Sequence, residues 1–281
     1  MHEDLAIIMA GGGMRSAYAV GVMLALAEEY DVREPGILIA GSGSAGTAAY
    51  YLAGQYESIR NIWTELLASK RFINPWRFWK IIDIGYLVDV VFRKLDPLCE
   101  SYVSQSRSLF LIPALDKRTG RVIYFTNENG NLFELLRATK ALPVAFRLNP
   151  CVRVEDKSCC DSPLSARAEQ HISVAIEKGA KRLLMIRSTH PRSLVGWSGR
   201  FIFLLWIRFQ KGGWEYLHSW RNKRSCEVIP EGIASYTIYP KKRVKVGLLG
   251  NRKDGLRAAV EQGYRETVEN DELRKFLKSS V

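Results

Sequence analysis

The sequence predicts an α/β protein, a three-layer α/β/α sandwich around a mainly parallel central sheet. Two short apolar runs, 5–9 and 37–40, each end in a glycine-rich turn, and each turn is followed by a segment with helical periodicity. Strand, turn and helix alternate in this way when parallel strands are joined by helical crossovers. The 281 residues, 47% hydrophobic and 25% charged, suffice for the core of one domain.

The other elements continue this alternation. Segments 109–113 and 122–125 flank turn residues and are predicted to pair as strands. Residues 57–96 differ from the rest of the chain in composition, because they combine a helical pattern with many aromatic and basic residues. They predict a cap-like insertion within a single domain spanning 1–281. In chain order we predict strands at 5–9, 37–40, 109–113, 122–125, 182–186 and 235–239, and an extended segment or hairpin at 152–161. Helices are predicted at 17–30, 45–53, 132–140, 165–178, 197–219, broken at Gly212-Gly213, and 256–277.

The charge distribution points to an anionic partner. The net charge is +12, from 41 basic and 29 acidic residues, and residues 178–224 alone hold eleven Lys or Arg against one acid, Glu215. A local basic excess suits lipid headgroups or nucleic acid. Because no helix-turn-helix, zinc-finger or RNA-recognition signature accompanies it, we expect an anionic membrane surface as partner and no nucleic acid.

Targeting and cofactor signals are sparse. Met1 to Asp4 are polar and acidic, unlike a signal peptide, and the longest strongly apolar run, 201–207, is far shorter than the roughly 20 residues that cross a bilayer. We therefore expect a cytoplasmic protein, at most peripheral on the inner face of the membrane. The five cysteines lack the spacing of a zinc site or disulfide framework, so we expect free thiols and no metal.

The loop Gly11-Gly12-Gly13 joins the first strand to the first helix. Its backbone N–H groups lie at the positive end of a helix dipole and can bind a phosphate, a pyrophosphate or the oxyanion of acyl transfer. A P-loop requires Gly-Lys-Ser/Thr, but Met14-Arg15-Ser16 follows here, and a dinucleotide fingerprint requires glycine where Ser16 stands. Both phosphate interpretations therefore fail.

A second motif, Ser42-Gly43-Ser44-Ala45-Gly46, follows the second predicted strand directly and precedes a helix. This is the context of a nucleophile elbow, in which a serine on a strained turn has small residues two positions away on either side. We accordingly predict Ser44 as nucleophile, flanked by Ser42 and Gly46. The glycine loop and the elbow together place two anion-stabilising elements at neighbouring strand ends.

A serine nucleophile requires a base, and the chain has four histidines. His2 is terminal, His171 falls in a predicted surface helix and His218 in an aromatic helix, so we expect these three to be structural or solvated. His190, after the strand that ends near residue 186, is the one plausible triad histidine. A histidine-dependent α/β-hydrolase is therefore one alternative.

Three motifs in this order resemble the patatin-like phospholipase family: Gly11-Gly12-Gly13-Met14-Arg15, the elbow at Ser44, and Asp161 within Cys159-Cys160-Asp161-Ser162. Segments 138–146 and 251–263 are also similar to that family, most closely to its small bacterial members. The resemblance implies the family's fold and hydrolysis of phospholipid or lysophospholipid carboxylic esters through an acyl-enzyme. It implies no metal and no organic cofactor.

The same resemblance assigns the site residues. Ser44 and Asp161 would form a dyad without histidine, and the loop Gly11 to Gly13, with the N–H groups of Gly12 and Gly13, would form the oxyanion hole. Arg15 would orient that loop or contact a phosphate. The elbow residues would be Ser42, Gly43, Ala45 and Gly46 around Ser44.

Two departures from the family pattern define the main alternative. Ser42 replaces the first glycine of the elbow, and Ser162-Pro163 replaces the glycine after the aspartate. Since proline pushes the preceding residue towards extended geometry, the loop that presents Asp161 would be stiffer or differently aimed. The alternative is a catalytically weak or inactive patatin-like protein that binds lipid at a membrane surface.

Aromatic and basic stretches have two interpretations. The segment 200–208 is apolar nearly all round, which is typical of a buried helix. Tryptophans among lysines and arginines, as in 197–220, also suit a membrane interface. The same holds for 72–79, as part of a cap over an acyl-chain channel.

Overall fold

The computed structural model confirms the predicted α/β class, with a central, mostly parallel sheet flanked by helices. Successive residues of the first strand point to opposite faces of the sheet: Leu5 and Ile7 lie in one buried cluster, Ala6 and Ile8 in another. The structure describes residues 2–77, 79–128, 130–143, 145–147, 150–190, 197–222 and 228–279, without the side chains of 197–200 and 202.

The sheet places the two glycine-rich turns at one edge. Its strands are β1 (His2–Met9), β2 (Pro35–Ala40), β3 (Leu109–Asp116), β4 (Arg121–Thr126), β5 (Val152–Val154), β6 (Lys157–Cys160), β7 (Arg182–Ile186) and β8 (Ala234–Ile238). They are ordered β5-β6-β3-β2-β1-β7-β8, with β4 also paired to β3. Neighbours from β3 to β8 in this order pair in parallel, whereas β4, β5 and β6 pair antiparallel. Because β1 and β2 are adjacent and parallel, the turns after them meet.

The helices are α1 (Ala17–Glu28), α2 (Ala45–Leu52), α3 (Tyr56–Asn61), α4 (Glu100–Gln105), α5 (Leu132–Lys140), α6 (Ile172–Glu177), α7 (Trp197–Ile207), α8 (Gly213–Arg221), α9 (Lys253–Val268) and α10 (Asp271–Lys278). Helix α1 is buried along its length and packs against α9. A Cβ on Gly21 would lie 1.9 Å from the Val260 carbonyl oxygen, and one on Gly263 would lie 2.0 Å from that of Tyr18. Glycine at both positions lets the two helix backbones touch.

Two predicted helices differ in the structure. The closing helix divides into α9 and α10, because the Asn270 side chain accepts a hydrogen bond from the Leu273 N–H and starts a new helix. The helix predicted at 165–178 is a 3-10 turn, Ala168–His171, followed by the short α6. His171 is fully buried rather than on a surface helix, since this turn packs against the sheet, and its Nδ1 lies 2.8 Å from the Tyr124 hydroxyl.

The segment 57–96 is largely helical, with π-helical stretches at Ile62–Leu66 and Tyr86–Leu95. Between them, Ile73 and Ile82 form an isolated antiparallel bridge, and the Asn251 side chain donates to the carbonyls of Ser69 and Ile73. The tip of this loop carries Trp76 and Trp79, which are 89% and 63% exposed. Within the described ranges, no helix combines the length and apolar character that a membrane crossing requires.

Candidate active site

A sharp turn follows β2 at Ser42. The φ angle of Ser42 is +52°, in the left-handed region that a residue with a Cβ rarely occupies. The end of α5 holds this strained residue from both sides: its N–H donates to Thr139 Oγ1 at 3.0 Å, and its carbonyl oxygen accepts from Lys140 Nζ at 2.5 Å. The turn thereby has a fixed conformation at the edge of the sheet.

The side chain of Ser42 contacts Asp161. Ser42 Oγ donates a 2.6 Å hydrogen bond to Asp161 Oδ2. The other carboxylate oxygen, Oδ1, accepts from the Ser162 N–H at 2.7 Å and from Ser165 Oγ at 3.3 Å. Asp161 is only 3% exposed, and its own N–H donates to the Ala141 carbonyl at 3.1 Å. The carboxylate is therefore oriented towards a serine hydroxyl by three hydrogen bonds.

Ser44 does not occupy the predicted place. It is fully buried, and its hydroxyl donates to the Ala10 carbonyl at 2.7 Å and lies 3.3 Å from Ser16 Oγ. In this structure the serine hydroxyl that bonds to Asp161 is therefore that of Ser42, whereas Ser44 had been predicted as its partner. β2 ends at Ala40, as predicted, but the left-handed φ of the turn is at Ser42, and Ser44 directly precedes α2 with a helical backbone conformation.

The other predicted elbow residues lie at this junction. Gly43 follows Ser42 in the turn, and Ala45 and Gly46 are the first residues of α2. The steric rule used for Ser44 applies equally to Ser42, which has Ala40 and Ser44 two positions away. The pattern of small residues therefore fits either Ser42 or Ser44 as the central serine of the elbow.

The glycine loop lies directly against the elbow. A Cβ on Gly43 would be 2.7 Å from the carbonyl oxygen of Gly13, so the two turns touch through their backbones. The N–H of Gly11 donates to the Ala166 carbonyl at 2.7 Å, and that of Met14 to the Leu248 carbonyl at 3.0 Å. In the part of the chain that the structure describes, the N–H groups of Gly12 and Gly13 donate no backbone hydrogen bond of this kind to a carbonyl. Of the predicted loop donors, Gly11 is thus bonded within the protein, whereas the N–H groups of Gly12 and Gly13 are not among the described backbone bonds.

Arg15 contacts the glycine loop through its side chain. Its side chain is buried, and Nε donates to the carbonyl of Gly12 at 3.4 Å. Gly13 has a φ of +56°, which positions Met14 and Arg15 in a 3-10 turn before α1. Arg15 also lines the cavity at the elbow.

A cavity of about 430 Å³ opens at Ser42. Its polar end is formed by the glycine loop, Ser42 and Asp161. Its far walls are apolar and come mainly from the 57–96 segment: Ile59, Ile62, Trp63, Leu67, Phe72, Ile73, Ile82, Ile84, Leu87 and Phe92. A pocket with convergent polar groups at one end and an apolar body suits a ligand with a reactive head and a hydrocarbon tail.

The buried charges of the site have perturbed pKa values. Burial raises the pKa of Asp161 to about 6, against the opposing effect of hydrogen bonds from Ser42, Ser162 and Ser165 and of the Lys140 charge. Burial likewise lowers the pKa of Lys140 to about 7, against the effect of the Asp161 charge. A carboxylate with a pKa near neutrality can accept and return a proton at physiological pH.

Thr139 and Lys140 were not identified from the sequence. Thr139 is fully buried, and Oγ1 donates to the Pro113 carbonyl at 2.6 Å while accepting from Ser42. One signal was available: a lysine stands between Thr139 and Ala141 in a segment that is otherwise apolar. Nothing in the sequence indicated that it reaches a residue 98 positions away.

No histidine in the described part of the chain hydrogen-bonds to Asp161. His190 lines the cavity, and its ring lies 5.4 Å from that of Tyr239. His171 Nε2 lies 3.2 Å from the Ser165 carbonyl, and burial lowers its pKa to about 4. His171 is therefore neutral at physiological pH, and it contacts the loop that carries Asp161 through the Ser165 carbonyl.

Ser162 and Pro163 do not leave that loop unsupported. The Ser162 N–H bonds to Asp161 Oδ1 and Ser165 Oγ, and the Ser162 hydroxyl lies 3.0 Å from Ser165 Oγ. Hydrogen bonds between Ser162 and Ser165 thus hold this loop together, although Ser162 stands where the family pattern has glycine. Across the described residues, no group of three His, Cys, Asp or Glu side chains could hold a metal ion.

Comparison with known proteins identifies the family. A family model described as "Patatin-like phospholipase" matches residues 7–166, more than half of the chain. The chain belongs to the patatin-like phospholipase family, and this membership supports lipid acyl hydrolysis as the class of activity. None of the curated proteins matches the chain.

Two solved structures are similar to this chain at low sequence identity. VipD from Legionella pneumophila is 7% identical with a TM-score of 0.53, over 98% of this chain and 67% of VipD. Human GIVD cytosolic phospholipase A2, solved with methyl γ-linolenyl fluorophosphonate, is 12% identical with a TM-score of 0.48, over 99% of this chain and 59% of the enzyme. This chain thus spans about two thirds or less of either protein.

Proposed function

We propose that this protein is a serine lipid acyl hydrolase that cleaves carboxylic esters of phospholipids or lysophospholipids, with Ser42 as nucleophile and Asp161 as base. The observation that carries the proposal is the 2.6 Å hydrogen bond from Ser42 Oγ to the buried Asp161 carboxylate, at the mouth of an apolar cavity. Ser44, the nucleophile predicted from the sequence, is assigned a supporting role, because its hydroxyl is bonded to the carbonyl of Ala10.

The geometry supports the following sequence of steps. Asp161 accepts the proton of Ser42 as Oγ attacks the ester carbonyl carbon, and the N–H groups of Gly12 and Gly13 stabilise the oxyanion. The tetrahedral intermediate collapses to an acyl-serine, and the leaving alcohol takes the proton from Asp161. A water molecule then gives a proton to Asp161 and attacks the acyl-serine, which releases the fatty acid and returns the proton to Ser42.

The 57–96 segment would act as a cap that holds the acyl chain. Its apolar side chains form most of the cavity wall beyond Ser42, and Asn251 ties its loop to the chain before α9. Glu65 at the end of the first π-helical stretch forms ion pairs with Lys253 and Arg257 of α9. The cap is therefore joined to the domain by polar contacts on its outside and by apolar side chains on its inside.

We also propose that the protein docks on an anionic membrane surface through exposed aromatic side chains. Trp76 and Trp79 project from the cap, with Lys70 and Arg71 close to them in sequence. Helix α7 is buried on one side only: Phe203 and Ile207 pack in the core, whereas Phe201 and Leu205 are exposed. Phe203 and Trp220 also line the cavity whose wall the cap forms. Tryptophan among cations is typical of proteins that insert at the lipid headgroup level.

The test compares two serines of the same turn. Ser42→Ala and Ser44→Ala are assayed on a soluble p-nitrophenyl ester and on short-chain phosphatidylcholine, with circular dichroism and thermal unfolding as controls for folding. We expect Ser42→Ala to lose activity by about 10³-fold or more and Ser44→Ala to retain most of it. Asp161→Asn should behave like Ser42→Ala.

The opposite ranking of the two serines would reject Ser42 as the nucleophile. A fluorophosphonate probe gives a second readout, because the labelled peptide identifies the reactive serine directly. Wild-type protein that binds anionic vesicles but neither hydrolyses esters nor accepts the probe would instead support the lipid-binding alternative.

A further inference from the structure

A second depression lies beside the cavity. This groove has a volume of about 600 Å³ and shares four residues with the cavity. It is lined by Arg15, Ser188, Thr189, His190, Lys241, Arg243, Val244, Lys245, Val246 and Gly247. The proposed mechanism uses none of the residues from Lys241 to Gly247.

The groove is positively charged. Lys241, Arg243 and Lys245 line one side of it, and among the described lining residues there is no Asp or Glu. The alternate residues Val244 and Val246 are buried, so the segment is anchored by its apolar side chains while its cations remain exposed. The backbone N–H of Lys241 donates to Glu266 Oε2 at 3.0 Å, which fixes the start of the segment. Three cations in a groove whose described lining holds no acid favour an anionic ligand.

A buried hydroxyl at the boundary of the groove supports the same conclusion. Ser188 is 2% exposed and lines both the groove and the cavity, and within the described part of the chain its hydroxyl has no hydrogen-bond partner. Its Cβ lies 3.3 Å from the position that a Cβ on Gly12 would occupy. A buried hydroxyl without a partner is costly, and an oxygen of a bound ligand would satisfy it. The ligand would then lie next to the proposed oxyanion loop.

We infer that this groove binds a phosphate group, and that the phosphate belongs to the alcohol part of the ester substrate. The inference rests on the proposed function, in which the acyl chain fills the apolar cavity on one side of Ser42. The alcohol part of the bound ester must then extend from the ester carbon in another direction. The groove begins in such a direction, at Ser188 beside the glycine loop. The preferred substrates are accordingly lipids with an exposed phosphate near the ester, rather than neutral acylglycerols.

Phosphate binding is tested separately from turnover. Titration calorimetry with inorganic phosphate uses the Ser42→Ala protein, so the result does not depend on catalysis. We expect Lys241→Ala/Arg243→Ala/Lys245→Ala to raise the dissociation constant by about tenfold or more, and Ser188→Ala to raise it severalfold. Lys242→Ala is the matched control, because Lys242 is exposed in the same segment but does not line the groove. Equal weakening by Lys242→Ala, or no binding by the parent protein, would overturn the inference.

A second arm distinguishes a substrate headgroup from a free phosphate ligand. Dihexanoyl phosphatidate and dihexanoylglycerol are compared as monomeric substrates, which removes any contribution from surface docking. We expect KM for the phosphatidate to be about tenfold lower, and the triple substitution to abolish this difference while the kcat for dihexanoylglycerol is unchanged. Inorganic phosphate should compete with phosphatidate only. If phosphate altered the hydrolysis of both substrates alike, the groove would be a site for free phosphate and the substrate assignment would be wrong.

Discussion

Lys140 Nζ donates a 2.5 Å hydrogen bond to the carbonyl oxygen of Ser42, which places a buried amine beside the elbow. The ammonium group does two things there. It satisfies the carbonyl of a residue in the left-handed region, and its charge lowers the pKa of Asp161 against the effect of burial. A single lysine thus links the backbone conformation of the serine to the ionisation of its neighbour.

The pH dependence of activity should follow Asp161. Only the carboxylate can accept the proton of Ser42, and burial raises the pKa of this group to about 6. We therefore expect kcat/KM of the free enzyme to rise with pH through about 6 and to level off above it. The measurement is a pH series on a soluble ester. A profile that levels off well below pH 5, the range of an ordinary carboxylate, would argue against Asp161 as the base.

Substitution of Lys140 should shift that profile. Lys140→Met removes the cation that favours the charged form of Asp161, so the midpoint of the acid limb should move to higher pH, and kcat at neutral pH should fall. Thr139→Ser, which retains the hydroxyl that bonds to the Ser42 N–H, serves as a control in the same turn of α5. A purely structural role for Lys140 would lower the rate or the Tm without moving the midpoint.

The positions of the strands and of helices such as α1, α2 and α5 could be predicted because apolar periodicity encodes them locally. The register of the elbow could not, because Ala40-Gly41-Ser42-Gly43-Ser44-Ala45-Gly46 contains two overlapping serines with small neighbours. The choice between them depends on where β2 stops and on contacts from Thr139, Lys140 and Asp161, which lie far away in sequence. Asp161 was predicted by resemblance to the family, whereas the serine that contacts it could be identified only from the coordinates.

Contact between the two turns leads to a prediction at Gly43. A methyl group at this position would meet the Gly13 carbonyl oxygen at 2.7 Å and Ser16 Oγ at 2.9 Å. Gly43→Ala should therefore displace the proposed oxyanion loop and lower kcat by about 100-fold, in the range seen when an oxyanion donor is lost. The control is Gly255→Ala in α9, where the nearest atom would be an ordinary 3.5 Å away. If Gly43→Ala kept wild-type kcat, the loop would not be part of the catalytic apparatus.

The exposed tryptophans of the cap should govern binding to lipid surfaces and leave the chemistry unchanged. Trp76 and Trp79 project from the cap, and transfer of an aromatic ring into the interface is favourable. We expect Trp76→Ala/Trp79→Ala to weaken sedimentation with anionic vesicles by about tenfold or more, and to reduce vesicle hydrolysis in proportion, while hydrolysis of a soluble ester stays at the wild-type rate. Tyr102→Ala is the matched control, since Tyr102 is an exposed aromatic residue on α4, outside the 57–96 segment. Equal loss of vesicle binding in that control would show that any exposed aromatic side chain suffices, and would remove the cap from the proposed docking surface.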